Sequence, residues 1–191
     1  MTQKKTTLAG NPIRKELLEG DAKAAGEIFS LTFTKPIFLI IGGSQGAEAI
    51  NDFVLRILNI FLKDYEVIHV AGRENLRQVE AEAQAILDRD LDKYYHPVGF
   101  LDEEKLKHAY KAADFIISRS GSGSIFEIAA VGKPSVLIPL PTAAANHQAK
   151  NAYKYAETGA AMVIEQESLT PNFFIEEVQL FTLDKQKVKD I

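Results

Sequence analysis

Apolar residues fall along this chain in two kinds of block. Compact runs at Ile37–Ile41 (IFLII), Glu66–Val70 (EVIHV), Tyr95–Val98, Asp114–Ser118 (DFIIS), Ser135–Ile138 (SVLI) and Ala161–Ile164 predict strands. Between them the period lengthens to that of a helix. The clearest case carries Ile50, Phe53, Val54, Ile57, Phe61 and Leu62 as one stripe. Other helical stretches run over Glu74–Leu87, Glu103–Ala113, Ser124–Val131, His147–Thr158 and Pro171–Leu183. The strand blocks are continuous rather than alternating, which implies burial on both faces and hence a parallel sheet flanked by helices. The expectation is an α/β doubly wound, Rossmann-like parallel sheet. Residues 20–35 are mixed in pattern and read as a loop or short helix before the first central strand. No internal repeat or low-complexity linker interrupts the order.

Composition changes this picture little. A length of 191 residues suits one domain with a sizeable core. The apolar share of 46% and charged share of 25% exclude a disordered or fibrous chain. A formal net charge of -4 argues against a broad nucleic-acid surface. The absence of cysteine rules out disulfides, thiolate zinc sites and cysteine nucleophiles. Met1–Thr7 lack the apolar core of a secretory signal, and the longest apolar run, Ile37–Ile41, suits one buried strand rather than a bilayer span. A cytoplasmic domain is expected.

In a sheet of this kind ligands bind beyond the carboxyl ends of the strands, so the loops there carry the candidate chemistry. Gly42-Gly43-Ser44-Gln45-Gly46-Ala47 joins the strand IFLII to the amphipathic helix. Its glycines permit a sharp turn, and the free amides at the helix start favour phosphate; a tight turn without a ligand is the plainer alternative. Ser118–Ser124 is a second small-residue loop feeding a helix, with Glu127 close behind. Glu127 either accepts hydrogen bonds from the vicinal hydroxyls of a ribose or caps its own helix. In the third loop, Gln148 and Asn151 share a helix face and offer paired donors and acceptors to sugar hydroxyls, or they simply form a polar first turn with Asn146 as N-cap. His147 beside them reads more readily as a capping or surface residue than as a catalyst. Near the start, Arg14 in Gly10-Asn11-Pro12-Ile13-Arg14 either pairs with a diphosphate or is an exposed basic residue after a turn.

Together the loops say more than each alone. GNPIR at 10–14, GGSQGA at 42–47, GFLDE at 99–103, RSGSGSIFEIAAVGKP at 119–134 and NHQAKNA at 146–152 resemble the C-terminal domain of the MurG family, in family order, from about Leu8 to about Leu169. The resemblance implies one half of a GT-B glycosyltransferase: a single nucleotide-sugar-binding domain over residues 1–191 that takes UDP-GlcNAc. By position it implies that Arg14 contacts the nucleotide-sugar phosphates. Ser44 meets the diphosphate with Gln45 and the Gly46 backbone close by, and Leu101 lies against uracil. Glu127 holds the ribose hydroxyls, Gln148 and Asn151 hold the GlcNAc hydroxyls, and Arg119 stands at the loop edge of the same donor site. Ser122-Gly123-Ser124 departs from the more usual Ala-x-Thr while keeping small, hydroxyl-bearing residues.

The family's N-terminal acceptor half opens with a glycine-rich GGH motif, which does not occur here. The resemblance therefore implies a donor domain for an inverting transfer of GlcNAc to the undecaprenyl-diphosphate-muramoyl-pentapeptide in peptidoglycan synthesis. No catalytic residue is expected in this chain, and the base and the lipid-linked acceptor belong to an absent half or a partner chain at the inner membrane face. Asp88-Arg89-Asp90 echoes a metal-binding DxD but ends a helix-patterned run, so no metal and no cofactor are expected. The alternatives are a non-catalytic UDP-sugar-binding module, a subunit of a two-chain GlcNAc transferase and, more weakly, a UDP-sugar epimerase, for which the NHQ stretch supplies no acidic group.

Overall fold

The computed structural model describes residues 11–43 and 48–184. The strands are β1 (Ile37–Ile41), β2 (Glu66–Val70), β3 (Tyr95–Val98), β4 (Phe115–Ser118), β5 (Ser135–Leu137) and β6 (Ala161–Val163). They form one parallel sheet in the order β3-β2-β1-β4-β5-β6. The helices are α1 (Ala22–Phe29), α2 (Glu48–Phe61), α3 (Leu76–Ile86), α4 (Glu103–Ala112), α5 (Ser122–Val131), α6 (His147–Ala156) and α7 (Pro171–Leu183).

The period of two along each strand separates two cores. Phe38 and Ile40 point to one side, where α2 contributes Ile50, Phe53, Val54, Ile57 and Phe61, and α7 contributes Phe174, Val178 and Phe181. Ile37 and Leu39 point to the other, against Phe29 of α1, Ala109 and Tyr110 of α4, Ile128 of α5 and Ala152 of α6. Burial on both faces is what an unbroken run such as IFLII requires. The mixed stretch before β1 resolves into α1, capped by Asp21, whose side chain accepts from the Lys23 amide.

Small differences from the sequence pattern have local causes. β4 begins at Phe115 because the Asp114 carboxylate turns back to accept the Ile37 amide at 2.8 Å. α5 begins at Ser122, two positions before the apolar period starts, because Gly123 is accommodated within the helix. Glu127 thus lies in its second turn. Asn146 precedes α6 in a left-handed conformation and makes no side-chain cap hydrogen bond.

The sheet order reverses between β1 and β4. Crossovers on the two sides of that point diverge and leave a crevice beyond the carboxyl ends. A buried relay stiffens its β2 side: the Asn51 amide donates to the Ala71 carbonyl at 2.9 Å, so Asn51 Oδ1 is left to accept from His69 Nε2, and His69 Nδ1 accepts from the Tyr95 hydroxyl at 2.7 Å. Burial holds the His69 pKa down at about 3, so the ring is neutral.

Candidate functional site

At that crevice lies a cavity of about 740 Å³, of the size that small-ligand sites occupy. Ile41 and Gly43 reach it from the end of β1, Val70 and Gly72 from β2, Gly99 to Leu101 from β3, and Ser124 and Glu127 from α5. Arg14 closes it from the N-terminal segment. Gly43 has φ 102°, a conformation that disfavours any side chain. At Gly99 a Cβ would lie 3.3 Å from the Arg73 Cα, so a glycine keeps the two loops in close approach. The Arg73 guanidinium covers the Phe100 ring at 4.3 Å and builds one wall.

The floor is polar. Glu127 Oε1 accepts from Arg14 Nη2 at 2.7 Å, and Glu127 Oε2 accepts from the Tyr110 hydroxyl at 3.2 Å. The hydrogen bond and charge of Glu127 push the Arg14 guanidinium pKa up. Burial, with the Glu127 charge beside it, pushes the Tyr110 phenol up, so that hydroxyl stays a donor. Glu127 therefore does not cap its helix; both oxygens face side chains at the cavity. Arg14, Leu101 and Glu127, singled out by the motifs, are brought together here. Tyr110, Phe100 and Arg73 were not singled out. Tyr110 was hidden in the apolar face of α4, and the signal that could have found it is a hydroxyl on a buried face one strand away from Glu127.

Gln148 and Asn151 lie beside the same helix start but outside this cavity. Ser120 Oγ donates to the Gln148 carbonyl at 2.8 Å, Gln148 Oε1 accepts from the Leu140 amide at 3.1 Å, and Asn151 Nδ2 approaches the Ser120 carbonyl at 3.4 Å. Gln148 Nε2 and Asn151 Oδ1 have no hydrogen-bond partner among the described residues. The Pro139–Asn146 connection that leads into their helix, α6, contains Ala145 at φ 51° and Asn146 at φ 54°, two successive left-handed residues that are not glycine. His147 Nδ1 donates to the Ala144 carbonyl at 2.8 Å on the exposed surface.

Arg119, expected at the loop edge of the donor site, turns its side chain inward. Its side chain is buried, and its guanidinium donates to the Ile138 and Pro139 carbonyls and to Gln166 Oε1 at 2.6 Å. It braces the β4–α5 loop against the end of β5 and does not line the cavity, because a buried cation without a carboxylate must satisfy its donors on nearby carbonyls. Ser44, Gln45 and Gly46 lie outside the described residues. Asp88-Arg89-Asp90 lies in the turn after α3, where the Asp88 amide donates to Asn59 Oδ1. A second hollow, also about 740 Å³, is lined there by Glu80, Gln84, Leu87, Arg89 and Asp92. It flanks the sheet at β3 rather than its carboxyl ends, and none of Arg14, Leu101, Arg119, Glu127, Gln148 and Asn151 lines it.

The profile described as "Glycosyltransferase family 28 C-terminal domain" matches residues 37–190. The chain belongs to that family. The match continues through α7, beyond the point near Leu169 where the motif likeness stops. Among curated relatives, the UDP-N-acetylglucosamine--N-acetylmuramyl-(pentapeptide) pyrophosphoryl-undecaprenol N-acetylglucosamine transferase of Clostridium kluyveri is 35% identical over 179 residues, 93% of this chain and 48% of that protein. The family 28 domain thus spans about half the length of the curated relatives it matches. Of solved structures, Acinetobacter baumannii MurG superposes with a TM-score of 0.69 at 24% identity, over 98% of this chain and 52% of that one. The UDP-GlcNAc 2-epimerase of Neisseria meningitidis, bound to UDP-GlcNAc, superposes at 0.60 with 13% identity over 88% of this chain and 42% of that one. Both likenesses speak for the fold alone. No helix among the described residues of the family 28 domain is long and apolar enough to cross a membrane.

Proposed function

We propose that this family 28 domain binds UDP-GlcNAc as the donor half of an inverting glycosyltransferase that passes GlcNAc to a lipid-linked muramoyl-pentapeptide. The relative's name supports the substrate pair. The observation that carries the donor site is the Glu127 carboxylate, fixed by Tyr110 at the floor of a cavity at the sheet's switch point, with Arg14 beside it. A carboxylate so placed accepts both hydroxyls of a ribose, and an arginine fork suits a diphosphate. The base lies against Leu101 between the ends of β2 and β3, and the Ser44–Gly46 amides take the phosphates at the start of α2. Gln148 Nε2 and Asn151 Oδ1 hold the sugar hydroxyls.

In the reaction, the acceptor hydroxyl oxygen attacks the anomeric carbon from the face opposite the diphosphate. The bond from that carbon to the β-phosphate oxygen breaks, and UDP leaves with the electron pair. Arg14 and the loop amides stabilise the charge growing on the leaving group. The acceptor's proton goes to a base in a second half or a partner chain, where the lipid is also bound, at the cytoplasmic face of the membrane.

Calorimetric titration with UDP-GlcNAc, UDP-GalNAc and UDP-glucose tests the donor assignment. The first should bind best, binding should be lost in Glu127→Ala, and it should be weakened in Gln148→Ala. Indifference to the three sugars, or full affinity in Glu127→Ala, overturns it. Turnover by this chain alone at the rate of a complete enzyme overturns the assignment of the base elsewhere.

A further inference from the structure

We infer that Arg14 and Glu127 form a latch that makes the site select a nucleoside diphosphate over the bare nucleoside, an inference that rests on the donor reading above. The two groups assigned to different parts of the ligand satisfy each other: Arg14 Nη2 lies 2.7 Å from Glu127 Oε1. The carboxylate that would take the ribose is held by the cation that would take the phosphates.

The two partners are unequally fixed. Glu127 stands on α5 with 19% of its side chain exposed, and its second oxygen is bound by the buried Tyr110 hydroxyl. Arg14 belongs to the segment before a single 3-10 turn, its side chain is 43% exposed, and Glu127 is its sole side-chain hydrogen-bond partner among the described residues. The other charge acting on it is Glu103, at the start of α4. When the pair opens, Arg14 swings while Glu127 stays.

A nucleoside diphosphate gives each group a replacement: ribose hydroxyls for Glu127 and phosphate oxygens for Arg14. A nucleoside replaces one side of the pair and strands the other. Ribose and phosphate recognition are therefore coupled through one ion pair, and the coupling works against any ligand lacking phosphate.

The test is to titrate uridine and UDP into the chain and its Arg14→Ala variant, following uridine by NMR. Opening a half-exposed ion pair corresponds to about two- to fivefold, so Arg14→Ala should bind uridine that much more tightly. The same variant should bind UDP about tenfold or more weakly, through loss of a charge-assisted contact. Changes of opposite sign are the signature. If uridine binding is unchanged or weakened in Arg14→Ala while UDP binding falls, the latch is overturned and the donor reading stands. If the unaltered chain binds neither ligand, the donor reading falls and the latch with it. Should the variant fold poorly, rising salt applied to the unaltered chain gives the same opposition, because it screens the exposed pair: uridine should tighten and UDP should loosen.

Discussion

Two glutamates at opposite ends of the sheet show how saturation separates structure from function. Glu66 opens β2 at the amino end and is wholly buried. Its oxygens accept from the Thr32 amide at 2.7 Å, the Thr32 hydroxyl and the Phe33 amide at 3.0 Å, and His96 Nε2 at 2.8 Å. That uses the roughly four acceptor positions a carboxylate has. It pins the α1–β1 connection, including Phe33 in its left-handed conformation at φ 53°. Glu127, at the carboxyl end, receives one donor from a half-exposed arginine and one from a tyrosine, and retains capacity for a ligand. Carboxylate chemistry is the same in both; the number of fixed donors assigns the role.

Breaking the saturated side should have the largest effect. Glu66→Ala leaves several buried donors unmet and should destabilise the chain by about 3 kcal/mol or more, with a Tm lower by roughly 10 °C. Denaturant and thermal unfolding read this directly, while UDP affinity of the folded fraction should hold.

The His69 relay is a second saturated group, and pH exposes it. Its folded pKa is depressed to about 3 from an unfolded 6.5, so the unfolded chain takes up the proton first. Its stability contribution is complete above pH 6.5 and is lost as pH falls towards 3, at up to about 1.4 kcal/mol per pH unit. Unfolding curves for the chain and for His69→Gln should converge with acid across this window; parallel curves would refute the assignment.

The unsaturated side should respond in the reverse sense. Glu127→Ala should reduce UDP affinity by about 1.5–3 kcal/mol, as for a hydrogen bond to a charged group, with a stability change under about 1 kcal/mol. The smallest effect belongs to Tyr110→Phe. Loss of one hydrogen bond should weaken UDP by about 0.5–1.5 kcal/mol and leave 2′-deoxy-UDP nearly unaffected. Equal weakening of both nucleotides would make Tyr110 a packing residue alone.

Strands were legible in the sequence to within a residue because burial on both faces writes itself as an unbroken apolar run. The site was legible in part. Arg14, Leu101 and Glu127 line one cavity, since each follows a strand end or lies on the segment that crosses it. Arg119 shows what a motif withholds: type and position were visible, but not the direction of a side chain drawn inward by the Ile138 and Pro139 carbonyls. Tyr110 shows the converse, a ring that reads as core while its hydroxyl serves the cavity floor.

Pro97 lies in β3, an outermost strand of the sheet, and lacks the amide hydrogen that an added strand would need there. The opposite border, β6, is three residues long. Neither rim offers a long template, so at high concentration this domain should resist growth into fibrils through its sheet, and crowding should leave it dispersed.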